Sequence, residues 1–279
     1  MATIKDIYHA LGLHKVRAFI CRELSPYGYL RNYILFPIVG FFKTHFCLFA
    51  NDKRIKALKD KHKGERCFII ATGPSLTLED VNKLKNEHTI GVNSIFRLYD
   101  KIDWRPEYYI ILEPHLTGKY LEEGFINPDD FARDVCFFNS VCKKKIIDRK
   151  VIYLRTNWLK HVYDYGNLEF KYTSDLVYGL YDFYSVTHAS IQIAMYMGFK
   201  EIYIIGVDNN YMGSKTHFAE TKGDDSFDYQ LALTTQKSMD AGYEEIRKIA
   251  DRRGVKVYNA TRGGKVEAFE RVDLDDIVK

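Results

Sequence analysis

A stretch that follows the apolar run 201–207 gathers Asp208, Asn209, Asn210, Tyr211, Lys215, His217 and Glu220. A phenol (Tyr211), an imidazole (His217) and carboxylates this close together can hold charge on a departing phosphate and take a proton from an attacking hydroxyl. A polar surface loop would use the same residue types. Thr72-Gly73-Pro74-Ser75-Leu76 follows another apolar run. Gly73 would let a ligand approach the backbone. Thr77, with Asp80 after it, has the spacing of a helix N-cap box whose N–H groups suit a phosphate. Neither a dinucleotide GxGxxG nor a Walker loop is present, and a plain tight turn explains the segment equally. Asn93 closes the run 89–92, where its amide can donate and accept toward a base or ribose, or simply form a turn. Glu113-Pro114-His115 closes a further run. Thr187-His188 opens an apolar helical pattern. Asn259 leads into Gly263-Gly264, a close approach to ligand or a β-turn.

No metal is expected from this pattern. Asp224-Asp225 and Asp275-Asp276 read as solvated acids, and no H-x-x-x-H spacing occurs.

These residues need a frame that brings strand ends together. Continuous apolar runs at 67–71, 89–92, 108–112, 135–138, 151–154, 201–207 and 255–258 alternate with helical patterns at 78–86, 187–198 and 230–253. Such runs predict a mostly parallel α/β sheet covered by helices on both faces, with any ligand at the carboxyl ends of the strands. Two domains are expected: a basic amphipathic helical arm over 1–63 and a nucleotide-binding Rossmann-like domain over 64–279. In the arm, a helix is expected over 3–22, and the Phe-rich run 33–50 reads as a buried helix hairpin or a segment lying in a membrane interface.

Charge separates the two parts. The 279 residues carry a net +4, yet residues 1–66 hold 13 Lys/Arg against 5 Asp/Glu, so the arm is +8 and the remainder −4. Such an arm suits an anionic membrane surface, or it is a solvated helical face. An acidic body with no basic-aromatic signature argues against nucleic acid. Five cysteines without a CxxC pair indicate neither a disulfide framework nor a zinc site, and they fit a reducing cytoplasm. The opening residues do not read as a signal peptide.

The stretch from Thr187 to Asp208, with Gly198-Phe199-Lys200-Glu201 and Gly206-Val207-Asp208, resembles the bacterial sialyltransferases of glycosyltransferase family 42. The Gly73-Pro74-Ser75-Leu76 turn and Asn93 belong to the same resemblance. The core, about residues 64–264, is also similar to a wider set of polysaccharide-locus proteins grouped with an archaeal 6-hydroxymethylpterin diphosphokinase. The resemblance implies a GT-A-like variant of the fold and a CMP-activated acidic sugar (sialic acid, another nonulosonic acid or Kdo) as donor. It implies a glycan or lipid-linked acceptor in capsule or lipopolysaccharide synthesis, no cofactor and no metal dependence.

It aligns Tyr211 and His217 with two family tyrosines that face the donor phosphate, with His replacing the second. Glu113, His188, Asp208 and Glu220 are then the candidate proton acceptors. Gly73, Pro74, Ser75, Asn93, Thr187 and Asn259 are the candidate nucleotide contacts. The chain departs from the family at Glu113, where the family has an Asn before Pro, at Ser185, where the family has an Arg, and at Thr235-Gln236-Lys237, where the family's catalytic His would lie. Work at the inner face of the cell membrane is expected, with a homo-oligomer compatible. The alternatives are an ATP/magnesium diphosphokinase-like phosphotransferase and a membrane-tethered, non-catalytic nucleotide-binding protein.

Overall fold

The computed structural model describes residues 30–46, 49–124, 127–144, 148–157, 170–181, 184–210 and 229–278. The helix expected over 3–22, and Tyr211, His217 and Glu220, lie outside the described residues.

Eight parallel strands form the sheet: β1 (Arg66–Ile70), β2 (Thr89–Val92), β3 (Tyr108–Ile111), β4 (Val135–Asn139), β5 (Val151–Leu154), β8 (Glu201–Ile205), β9 (Lys256–Asn259) and β10 (Glu270–Arg271). Two short strands, β6 (Thr156–Asn157) and β7 (Leu180–Tyr181), pair separately. The order across the large sheet is β10-β9-β8-β1-β2-β3-β4-β5, and each neighbouring pair is parallel. The expected α/β, Rossmann-like class is therefore the observed one.

Alternating strand residues supply two cores. Cys67, Ile69, Ile90, Tyr108, Ile110, Ile202 and Ile204 enter one. Phe68, Ile70, Tyr109, Ile111, Tyr203 and Ile205 enter the other. Side chains on both faces of each strand must leave water, which is why the runs are apolar without alternation. The first core is covered by α6 (Val186–Tyr196) and α7 (Tyr229–Arg252), with Ala189, Ile193, Tyr243 and Ile246 packed in. The second is covered by α3 (Leu78–Lys83), α4 (Pro114–Glu122), α5 (Pro128–Phe131) and α8 (Leu274–Ile277), through Val81, Tyr120, Phe131 and Leu274.

The arm is divided by its packing. Before β1 lie a π-helical turn (Leu30–Leu35), α1 (Phe36–Phe46) and α2 (Ala50–Ala57). Residues 50–63, expected to be arm, are packed on the body. Ile55 and Leu58 join the first core. The Asn51 amide Nδ2 donates to Tyr153 O at 2.8 Å, and its Oδ1 accepts from Tyr153 N at 2.9 Å. Arg54 donates to Val151 O at 2.7 Å. Helix α2 thus covers the β5 edge, whose backbone groups would otherwise be open to another chain.

Helix α1 touches the body on one side only. Phe36 packs on Tyr178 and Tyr181 at ring separations of 5.6 and 5.5 Å. A Cβ on Gly40 would lie 2.6 Å from the Tyr178 ring, so the helix approaches closely there. Its other side leaves Phe41, Phe42 and Phe46 more than half exposed, as is Phe49 beyond it. Among the described residues no single helix is long and apolar enough to cross a membrane.

Candidate functional site

The strand order reverses at β1. The chain moves outward through β2 to β5 and returns on the other side of β1 as β8. A crevice opens at such a switch point because the loops leaving the two strands diverge to opposite faces. Here it is a cleft of about 340 Å³, within the size range of small-molecule sites. Thr72, Gly73, Asn93, Glu113, Ser185, Thr187, Asp208, Asn209 and Asn210 supply polar groups to its lining. Leu112, Leu116, Leu180, Val186 and Met239 supply apolar ones.

The β1 turn and the β8 end hold each other. Asp208 Oδ2 accepts from Ser75 Oγ at 2.8 Å and from Ser75 N at 3.2 Å. A Cβ on Gly73 would lie 2.0 Å from that carboxylate oxygen and 2.4 Å from Gly206 O. The open space at Gly73 is thus already filled by Asp208, and the glycine serves the strand crossing before it serves a ligand. Gly206 itself has φ +67°, and a Cβ there would stand 2.8 Å from Ala71 O.

Two asparagines mark the rim. Asn93 (φ 47°) and Asn209 (φ 49°) adopt the left-handed region just after β2 and β8, and Tyr184 (φ 71°) does so before α6. Asn tolerates this conformation better than other side-chain-bearing residues. Three such residues in one cleft fit the clustering of backbone strain at working sites. The Tyr109 hydroxyl donates to the Asn93 carbonyl. Asn209 Nδ2 donates to Asp240 Oδ1 at 2.5 Å. Burial raises the Asp240 carboxyl above its ordinary range, and the Asn209 bond only partly offsets this.

The start of α6 opens onto the cleft. Ser185 caps it, its Oγ accepting from Thr187 N at 3.2 Å. First-turn N–H groups of an eleven-residue helix favour an anion. The helix start expected to offer N–H groups after the Gly73 turn is used differently. Thr77 and Asp80 form the expected capping box, and Arg262 grips Asp80 with contacts of 2.7 and 3.1 Å.

The candidate residues therefore separate. Gly73, Asn93, Glu113, Thr187 and Asp208 line one cleft. Glu113 also caps α4, Oε1 accepting from His115 N at 3.0 Å. Ser75 turns to Asp208, and Pro74 lies exposed on the same turn. Pro74 and Ser75 therefore do not line the cleft, and neither do two further candidates. His188 is fully buried, its ring 4.1 Å from that of Tyr243. Asn259 is buried and structural, donating to Val266 O at 2.9 Å and accepting from Thr261 N at 2.9 Å. Tyr211 and His217 lie outside the described residues. Sequence reasoning passed over Ser185, Tyr184 and Asn209 as ligand contacts, although Asn209 directly follows Asp208 and its strand-end place was the available signal.

The sequence profile of the 6-hydroxymethylpterin diphosphokinase MptE-like family matches residues 44–214. That is more than half of the chain, and the chain belongs to this family. The matched region takes in α2 and the cleft residues up to Asn210, and it ends before His217. No curated protein matches. Among solved structures the chain is similar to the MAf glycosyltransferase from Magnetospirillum magneticum AMB-1, with TM-score 0.47 and 15% identity over 78% of this chain. It spans 35% of that protein's length, and the likeness carries no functional argument.

Proposed function

We propose that the chain is a nucleotide-dependent transferase working at the carboxyl end of its sheet, and that it transfers an acidic sugar from a CMP-activated donor. The acceptor is a glycan hydroxyl on a lipid-linked or surface precursor. The observation that carries this reading is the character of the cleft lining. It offers a helix start, hydroxyls and amides, while among the described residues it contains no Lys or Arg. Such donors suit the single phosphate of a CMP-sugar. The triphosphate of ATP generally requires basic side chains and metal ions.

In this reaction the bond between the sugar and the CMP phosphate breaks through an oxocarbenium-like state. The phosphate leaves toward the start of α6, Ser185 and Thr187, with Tyr211 and His217 assigned to the same charge. The acceptor hydroxyl adds to the sugar and gives its proton to Glu113 or Asp208. The exposed phenylalanines of α1, together with the exposed Lys53 and Lys56 of α2, suit an anionic membrane surface that carries the acceptor.

A second reading is an ATP/magnesium diphosphokinase-like phosphotransferase. Family membership favours it, and Glu113 and Asp208 are the carboxylates that would hold the magnesium. A thermal-shift panel of CMP, CDP, UDP, GDP and ATP, with and without magnesium, separates the two. A CMP-selective rise without magnesium is expected. A rise confined to ATP with magnesium replaces the first reading by the second, and no rise with any nucleotide contradicts both.

A further inference from the structure

The opposite end of the sheet carries a second constellation, remote in function from the cleft. His62 lies in the turn after α2, His88 immediately before β2, and Glu107 immediately before β3. One ligand atom from each falls within 4.8 Å of the others. We propose that His62, His88 and Glu107 bind a divalent transition metal of the zinc class, with Glu65 orienting both imidazoles.

The orientation of the rings is the argument. Glu65 Oε2 lies 2.6 Å from His62 Nδ1 and 3.2 Å from His88 Nε2. One carboxylate therefore holds one nitrogen of each ring. The remaining nitrogens both face Glu107: His62 Nε2 is 3.7 Å from Oε1 and His88 Nδ1 is 2.5 Å from Oε2. A carboxylate behind a histidine whose other nitrogen faces the ion is the usual outer support of a metal site. Tetrahedral zinc with bonds of about 2.0–2.1 Å separates its ligands by roughly 3.3 Å. The His62–Glu107 spacing is close to that, and a small rotation of Glu107 opens the His88 side.

The surroundings fit an ion rather than a loose surface cluster. His62 is buried and stacks on Phe199 at 4.6 Å with an interplanar angle of 8°. The Tyr108 hydroxyl lies 2.7 Å from His62 Nε2 and accepts from Lys61 Nζ at 2.9 Å, so an ion bound at that nitrogen displaces the Tyr108 hydroxyl. Two imidazoles with Glu65 and Glu107 present donors and negative charge suited to a borderline cation, and nitrogen ligands favour zinc over magnesium. The ligands come from three separate strand-entry segments, so no sequence spacing announces them. A bound ion would tie the turn after α2 to the amino ends of β2 and β3.

The test uses the untagged full chain, stripped with a chelator and titrated with Zn²⁺ by calorimetry. Co²⁺ absorption reports the coordination. One Zn²⁺ per chain at micromolar affinity or tighter is expected, with a raised melting temperature. His88→Gln should weaken binding at least about 100-fold, and Glu65→Gln by about 10- to 100-fold. Glu65 is exposed, so its variant answers the question even if His88→Gln fails to fold. Absence of stoichiometric binding overturns the proposal, as does unchanged Zn²⁺ affinity in the folded variants. Either result would leave the four residues as a proton-sharing network.

Discussion

The two ends of the sheet hold polar groups in different settings. At the amino end they are matched to one another. Arg66 meets Glu87 at 2.6 Å, Lys61 meets Asp134 at 2.5 Å, and two histidines share Glu65 and Glu107. At the carboxyl end left-handed backbone at Asn93, Tyr184 and Asn209 surrounds a cleft whose polar side chains are partly tied up, as Asp208 is by Ser75 and Asn209 by Asp240. Strain of this kind costs about 1–3 kcal/mol per residue and persists only where surrounding structure enforces it. The sheet provides that enforcement for both ends. Only the carboxyl end has loops that diverge, because the order reverses at β1. The difference teaches that the amino end fastens the strands and that the carboxyl end opens a cleft between them.

The strongest way to break this contrast is at the crossing of β1 and β8. Gly73→Val should cost at least about 3 kcal/mol, since its side chain meets both a carboxylate and a backbone carbonyl. A melting temperature within a degree or two of wild type would show that Asp208 does not occupy that space. Asp208→Ala comes next. It leaves two half-buried Ser75 donors without their acceptor, a loss of about 1 kcal/mol in urea unfolding, with transfer turnover falling more than nucleotide affinity.

Asn93 separates strain from binding. Valine in this left-handed position should cost about 1–2 kcal/mol, whereas Asn93→Gly should be nearly neutral. Both should weaken the nucleotide alike, as titration calorimetry would show. If Asn93→Gly binds normally, the residue is only a turn.

The smallest effect lies at Asp240. Its carboxyl is raised by burial, so the fold favours the protonated form. Its contribution to stability is present at and below the ordinary value of 3.8 and is lost as pH climbs through the raised value. Asp240→Asn keeps an acceptor for Asn209 and removes that dependence. A flatter stability profile above pH 4, changed by about 0.5 kcal/mol or less, is the expected outcome.

The fold was legible where burial leaves a one-dimensional mark. Runs such as 67–71 and 108–112 are apolar at every position because both faces of the strand are covered. The cleft was legible through position: Gly73, Asn93, Glu113 and Asp208 each follow a strand, and Thr187 starts a helix. The same rule misplaced His188 and Asn259, because it cannot tell a side chain aimed at a crevice from one aimed into the core. The docking of α2 was hidden, since Asn51 and Arg54 are polar residues that bind backbone about a hundred positions away. The His62–His88–Glu107 cluster was hidden for the same reason. It exists only once parallel strands bring their starts together.

Hydrogen–deuterium exchange with and without CMP tests the central contrast most directly. Slowed exchange is expected at 71–75, 92–94, 185–189 and 206–210, with none at 61–66, 87–89 or 106–108. Protection confined to the amino end, or spread equally over both ends, would contradict a nucleotide site at the carboxyl end of the sheet.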